Sequence, residues 1–127
     1  MRIYLCGSYD RREEFDDYAA GLTILGHEVT ARWLEGNEDL APERQAQMDI
    51  TDLLLADCLV TFTYKEGEGP SRGGRHVEFG IAWYANKRLI VVGPRENIFH
   101  HLPEVECFAD WPGAFAALAE ENLNGVS

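Results

Sequence analysis

The chain has 127 residues and a formal net charge of -11, with 22 acidic against 11 basic side chains. That length suits one domain over residues 1–127, and that charge repels phosphate backbones, which argues against polymeric nucleic acid and for a small-molecule substrate. No apolar run approaches the roughly 18–20 residues of a membrane span, and the N-terminus enters Arg2–Leu5 without the organisation of a leader peptide, so a cytoplasmic protein with no membrane partner is expected.

The first element is a strand, "RIYLCGS" (2–8), ending in Gly7 and Ser8. "DRREEFDDYAAGLTILG" follows as a helix, with Phe15, Tyr18, Ala19, Leu22 and Leu25 at helical spacing and Gly26 to close it. "HEVTARWL" (27–34) predicts a second strand and residues 35–41 a polar loop. "PERQAQMDITDLLLAD" opens with a proline, tolerated at a helix start, and carries Ile50, Leu53 and Leu54 on one face. "CLVTFTY" predicts the third strand, "KEGEGPSRGG" a loop, and "RHVEFGIAWYANK" a helix with Val77, Ile81, Tyr84 and Ala85 in register. "RLIVVGP" has the continuous apolar character of a strand buried on both faces. Beyond "RENIFHHLPEVE", "CFADW" (107–111) predicts a short fifth strand and "PGAFAALAEENL" a last helix. The three cysteines, Cys6, Cys58 and Cys107, lie in or beside apolar runs, which predicts reduced thiols without a disulfide framework, metal site or cofactor.

Strands alternating with helices require right-handed crossovers and a parallel sheet. The expected fold is α/β: one Rossmann-like or flavodoxin-like domain, about five parallel strands with helices on both faces. Ligands of such sheets bind beyond the carboxyl ends of the strands, at the switch in strand order, which gathers "GSYDRR", "TYKEGEGPSRGG" and "GPRENIFHH" around one crevice. Glu78 follows the second of these loops. Placed in the first turn of its helix, it would be kept ionised by the helix dipole and free N–H groups, and an ionised carboxylate at the edge of a dry pocket is a nucleophile for an electron-poor carbon.

Three blocks, "IYLCGS", "MDITDLLLADCLV" and "GGRHVEFGIAWYANKRLIVV", resemble the nucleoside 2-deoxyribosyltransferase superfamily, and within it the Rcl-type deoxynucleoside 5′-monophosphate N-glycosidases. The resemblance covers residues 2 to about 111. It implies Glu78 as the nucleophile at the anomeric carbon, Asp49 as the acid near the departing base, and Tyr4 as the donor that orients Glu78. An N-glycosidic cleavage needs an anion facing oxocarbenium-like charge and a proton for the leaving base, which two carboxyl groups with separate roles supply. Asp52 and Asp57 are local competitors of Asp49.

For a substrate phosphate, Gly7 and Ser8 precede a helix start. The Rcl-type arginine two residues after this serine is replaced by Asp10, so Arg11 or Arg12, or Arg72, Gly74 and Arg75 from the other loop, are the candidates; equally, these arginines could neutralise acids of the chain. Arg72 also stands where the transferase branch has an aspartate, which favours a monophosphate hydrolase over base exchange. The resemblance implies a homodimer or higher homo-oligomer whose sites are completed by the neighbouring subunit, with Asn97, His100 and His101 as contributors in trans. The alternatives are a deoxyribosyltransferase and a non-catalytic nucleotide-binding module on the same fold. The "PGGxGTxxE" signature of cytokinin-activating phosphoribohydrolases is not matched.

Overall fold

The computed structural model describes residues 1–36, 39–68 and 73–124, with side chains to residue 121. Strands β1 (Arg2–Cys6), β2 (Glu28–Val29), β3 (Cys58–Phe62), β4 (Arg88–Val92) and β5 (Val105–Phe108) alternate with helices α1 (Arg12–Ile24), α2 (Pro42–Leu55), α3 (Gly74–Tyr84) and α4 (Trp111–Asn124). Every pairing is parallel and the order is β2-β1-β3-β4-β5, which within the expected doubly wound α/β class is the flavodoxin-like order rather than the Rossmann one. The order reverses between β1 and β3, so the helices that follow these two strands leave toward opposite faces. Among the described residues no helix is long and apolar enough to cross a membrane.

The register sorts side chains by face, because successive residues of a strand point to opposite sides. Tyr4 aligns with Leu59 and Cys6 with Thr61, on the face covered by α2 and α3. Leu5 aligns with Val60 on the other face, where α1 and α4 pack. There Phe15 and Tyr18 of α1 meet Phe62 of β3 at ring-centroid distances of 4.7 and 4.8 Å, and Trp111 of α4 joins at 4.8 Å from Tyr18. Nearly all of β1, β3 and β4 is buried, as expected for central parallel strands. Cys6 and Cys58 are buried and Cys107 half-buried, all as free thiols.

Three boundaries differ from the sequence expectation. The strand expected over 27–34 pairs only at Glu28 and Val29 before a 3-10 turn at Arg32–Glu35. The indole Nε1 of Trp33 donates to the Leu5 carbonyl at 2.9 Å, and Asp52 of α2 takes the Arg32 N–H at 3.0 Å. Side chains thus satisfy the backbone groups that a longer ladder would have used. A 3-10 turn at Tyr9–Arg11 delays α1 to Arg12. The last strand is Val105–Phe108 rather than 107–111, and Trp111 opens α4.

Gly7 is demanded by packing: a Cβ there would stand 2.5 Å from Phe15 Cζ and 3.3 Å from Phe62 Cβ. Phe15 is fully buried and cannot swing away. Gly7→Ala is therefore expected to cost about 1–3 kcal/mol, read as a lower urea midpoint with an unchanged denaturant slope.

Candidate active site

Tyr4 stands in the middle of β1 with no solvent exposure. Its hydroxyl donates to Glu78 Oε2 of α3, joining an interior strand to the covering helix across 74 residues of sequence. Burial first, then the charges of Glu78 and Asp49, push the phenol far above its ordinary range. Tyr4 is thus a permanent donor, fixed by the strand.

Glu78 does not lie in the first turn of its helix. Gly73, in the left-handed conformation at φ 86, is the N-cap, so α3 starts at Gly74 and Glu78 falls in the second turn, with no acid in the first. The expectation that free N–H groups keep it ionised is corrected accordingly. Burial pushes the Glu78 carboxyl up to about 7; the Tyr4 hydroxyl opposes this and the charge of Asp49 adds to it. Desolvation outweighs the one hydrogen bond.

Asp49, on α2, lies close enough that its charge raises both Tyr4 and Glu78. Its own carboxyl is pushed up to about 6 by burial and by Asp52, against the pull of Arg32. The Asp49 Oδ1 atom is buried with no hydrogen-bond partner. The competitors are committed elsewhere: Asp52 accepts from the Arg32 backbone and from Arg32 Nε at 2.8 Å, and Asp57 accepts from the Arg2 backbone at 2.9 Å. Of the three aspartates of this segment, Asp49 keeps a buried oxygen available. The structure therefore brings Tyr4, Asp49 and Glu78 together on one face of the sheet.

The anion-binding candidates fare differently. Arg75 is buried and forks onto Glu96, with Nη2 at 2.6 and 2.8 Å from its two oxygens and Nε at 3.2 Å. Arg11 is turned inward: Nη1 donates to the Thr63 carbonyl at 2.9 Å, and Nε and Nη2 donate to Glu14 at 3.3 and 3.2 Å. Gly7 and Ser8 precede the 3-10 turn rather than α1, and Ser8 makes no side-chain cap. Gly74 is exposed, with nothing within 4 Å of where a Cβ would stand. Arg72 lies outside the described residues.

Beyond β4, the Asn97 Oδ1 caps the turn at Ile98–His101 by accepting from Phe99 N–H at 3.0 Å. His100 is buried; its Nδ1 accepts from the Glu96 N–H at 3.0 Å, and burial lowers its pKa, so the ring is neutral and inward. His101 is the exposed member of the pair. The counter-ions Glu14, Glu68 and Glu96 were not singled out from sequence. The signal for them is the twofold excess of acids over bases, which makes carboxylates available to inward-facing arginines such as Arg11 and Arg75.

No protein-family model matches the sequence, and no curated protein does. Solved structures match over nearly the full length. The CMP N-glycosidase BcmB of Clostridium botulinum superposes with a TM-score of 0.65 at 19% identity, over 97% of this chain and 99% of that one. The 2-deoxyribosyltransferase of Bacillus psychrosaccharolyticus gives 0.69 at 20%, over 93% and 96%. That of Leishmania mexicana gives 0.74 at 15%, over 94% and 97%. The chain shares their fold.

A carboxyl whose folded pKa is raised is destabilising once ionised. Relative to a neutral side chain, Glu78 costs nothing below its unfolded value near 4.5, and the cost is complete above about 7. Glu78→Gln, which keeps an acceptor for Tyr4, is expected to be more stable than wild type by about 3 kcal/mol at pH 8. Denaturant titrations should show that gain disappearing as pH falls from 7 to 4.5.

Proposed function

We propose that this chain cleaves the N-glycosidic bond of a nucleoside or nucleoside 5′-monophosphate, with Glu78 as nucleophile and water completing the second step. The observation that supports this reading is the Tyr4, Glu78 and Asp49 constellation: two half-buried carboxyl groups with raised pKa and a fixed phenol donor at the switch point of the sheet. Ionised Glu78 attacks C1′, and the C1′–N bond breaks with its electron pair passing to the base. Asp49 protonates the departing nitrogen. Water then attacks C1′ and gives its proton to Asp49, and the bond from C1′ to Glu78 breaks, restoring both groups. The fold shared with an enzyme that acts on CMP and with deoxyribosyltransferases supports an enzyme of this class. Tyr4 orients the nucleophile and keeps one of its oxygens occupied, which leaves the other for the sugar.

The reactive state has Glu78 ionised and Asp49 protonated. With carboxyl groups near 7 and 6, base release from a panel of nucleosides and 5′-monophosphates that includes CMP is expected to show a bell-shaped kcat/KM with its maximum between pH 6 and 7. Glu78→Ala should abolish release, whereas Asp49→Asn should cost about 10²–10⁴-fold and remove the alkaline limb. Tyr4→Phe should lower the maximum and move the alkaline limb upward, because losing the hydroxyl raises the Glu78 pKa further above that of Asp49 and makes the reactive state scarcer. A new nucleoside formed only with an added acceptor base would make the enzyme a transferase. No release from any member of the panel contradicts the reading.

The partner this reading expects is a second copy of the chain. Ile50 and Leu54 of α2 and Val77 and Tyr84 of α3 are exposed, one helical turn or two apart, on the helices that carry Asp49 and Glu78. That apolar stripe supports self-association next to the site, with His101 as a candidate in trans. Light scattering after size exclusion should give a dimer or larger, and Tyr84→Glu a smaller species; a monomeric wild type contradicts self-association.

A further inference from the structure

The arginine best placed to meet a substrate anion already has one. Arg11 follows β1 and reaches the end of β3 through its bond to the Thr63 carbonyl, so it spans the switch point. Three of its five N–H donors are engaged, on Thr63 and Glu14. Glu68 returns from the loop after β3 to place Oε2 3.6 Å from Arg11 Nη1, and its side chain is only 3% exposed. The same Glu68 oxygen accepts from the Lys65 backbone N–H at 3.0 Å, while the Glu68 N–H donates to the Lys65 carbonyl at 3.0 Å. The loop is therefore closed into a turn with its carboxylate pointing inward. A carboxylate that deeply buried persists only with a cationic partner.

Among the described residues, Arg11, Lys65 and Arg75 are paired with carboxylates before any ligand arrives. Arg11 and Lys65 face Glu14 and Glu68, Arg75 faces Glu96, and Asp49 and Glu78 add negative charge when ionised. We infer that Glu68 is a specificity-determining residue, a built-in anion that holds Arg11 against a substrate phosphate, so that the sugar enters with an uncharged 5′-hydroxyl. This rests on the N-glycosidase reading of the same crevice. A phosphate dianion has to expel the buried Glu68 carboxylate or share Arg11 with two carboxylates. A 5′-hydroxyl adds no charge and can donate to Glu68. The structure thus turns the expectation drawn from Arg11 around: the residue that would have bound phosphate selects against it.

Two readouts test this. First, kcat/KM for base release is compared between a nucleoside and its 5′-monophosphate in wild type, Glu68→Gln and Glu68→Asp. Wild type should favour the nucleoside at least tenfold, Glu68→Gln should narrow that ratio at least tenfold, and Glu68→Asp, which keeps the charge, should stay close to wild type. A wild type that uses the monophosphate as well as the nucleoside, or a ratio unmoved by Glu68→Gln, overturns the inference. Second, ribose 5-phosphate binding is measured by calorimetry. Glu68→Gln should bind at least tenfold more tightly than wild type, and adding Arg11→Ala should erase the gain; equal affinities overturn the inference. If neither substrate releases base, the N-glycosidase reading fails by itself, and the ribose 5-phosphate comparison still decides the role of Glu68.

Discussion

The hydrogen bond from Tyr4 to Glu78 is the constraint on which the site depends. It links the interior strand β1 to the helix α3 that covers it, and each partner is held by its own element. Tyr4 has no exposed surface, and burial raises its phenol well above the ordinary range, which favours the protonated donor. Glu78 is drawn into a desolvated position and held there by that donor, which is why its carboxyl rises to about 7 instead of lying near 4.5. The strand order matters for the same reason. Only with β1 beside β3 does α3, which follows β3, lie over Tyr4.

The surroundings of this bond divide labour among carboxylates. Asp52 and Asp57 tie α2 and the segment after it to neighbouring backbone and arginines, whereas Asp49, one helical turn before Asp52, keeps a buried oxygen without a partner. Glu14, Glu68 and Glu96 neutralise the basic groups that line the crevice. What remains on this face of the sheet is the pair Asp49 and Glu78, with carboxyl groups raised to about 6 and about 7. The proposed reaction uses them where its transition state develops positive charge on a sugar ring.

Much of this was legible in the sequence. The apolar runs read as strands over 58–64 and 88–94 pair over Cys58–Phe62 and Arg88–Val92, and the proline-led helix read over 42–57 forms over Pro42–Leu55, because burial on both faces and a proline at the first helical position are local signals. Tyr4, Asp49 and Glu78 were singled out by the resemblance of the blocks around them, and the fold brings them together. What was not legible involves partners distant in sequence. Trp33 ends β2 by reaching back to Leu5, 28 residues away, and the pairing of Arg75 with Glu96 spans 21 residues. The position of Glu78 in the second turn hangs on the left-handed Gly73, where two adjacent glycines left the helix start ambiguous.

The most direct measurement is to intercept the bond that the account requires. A nucleoside bearing 2′-fluoro-2′-deoxyarabinose slows the second displacement more than the protein can compensate, because fluorine beside C1′ disfavours oxocarbenium-like charge. After incubation with such a nucleoside, peptide mass spectrometry should find the fluorosugar on Glu78, with free base released in one equivalent. Release of base with no sugar on the protein, or a sugar attached to any other residue, would contradict Glu78 as the nucleophile.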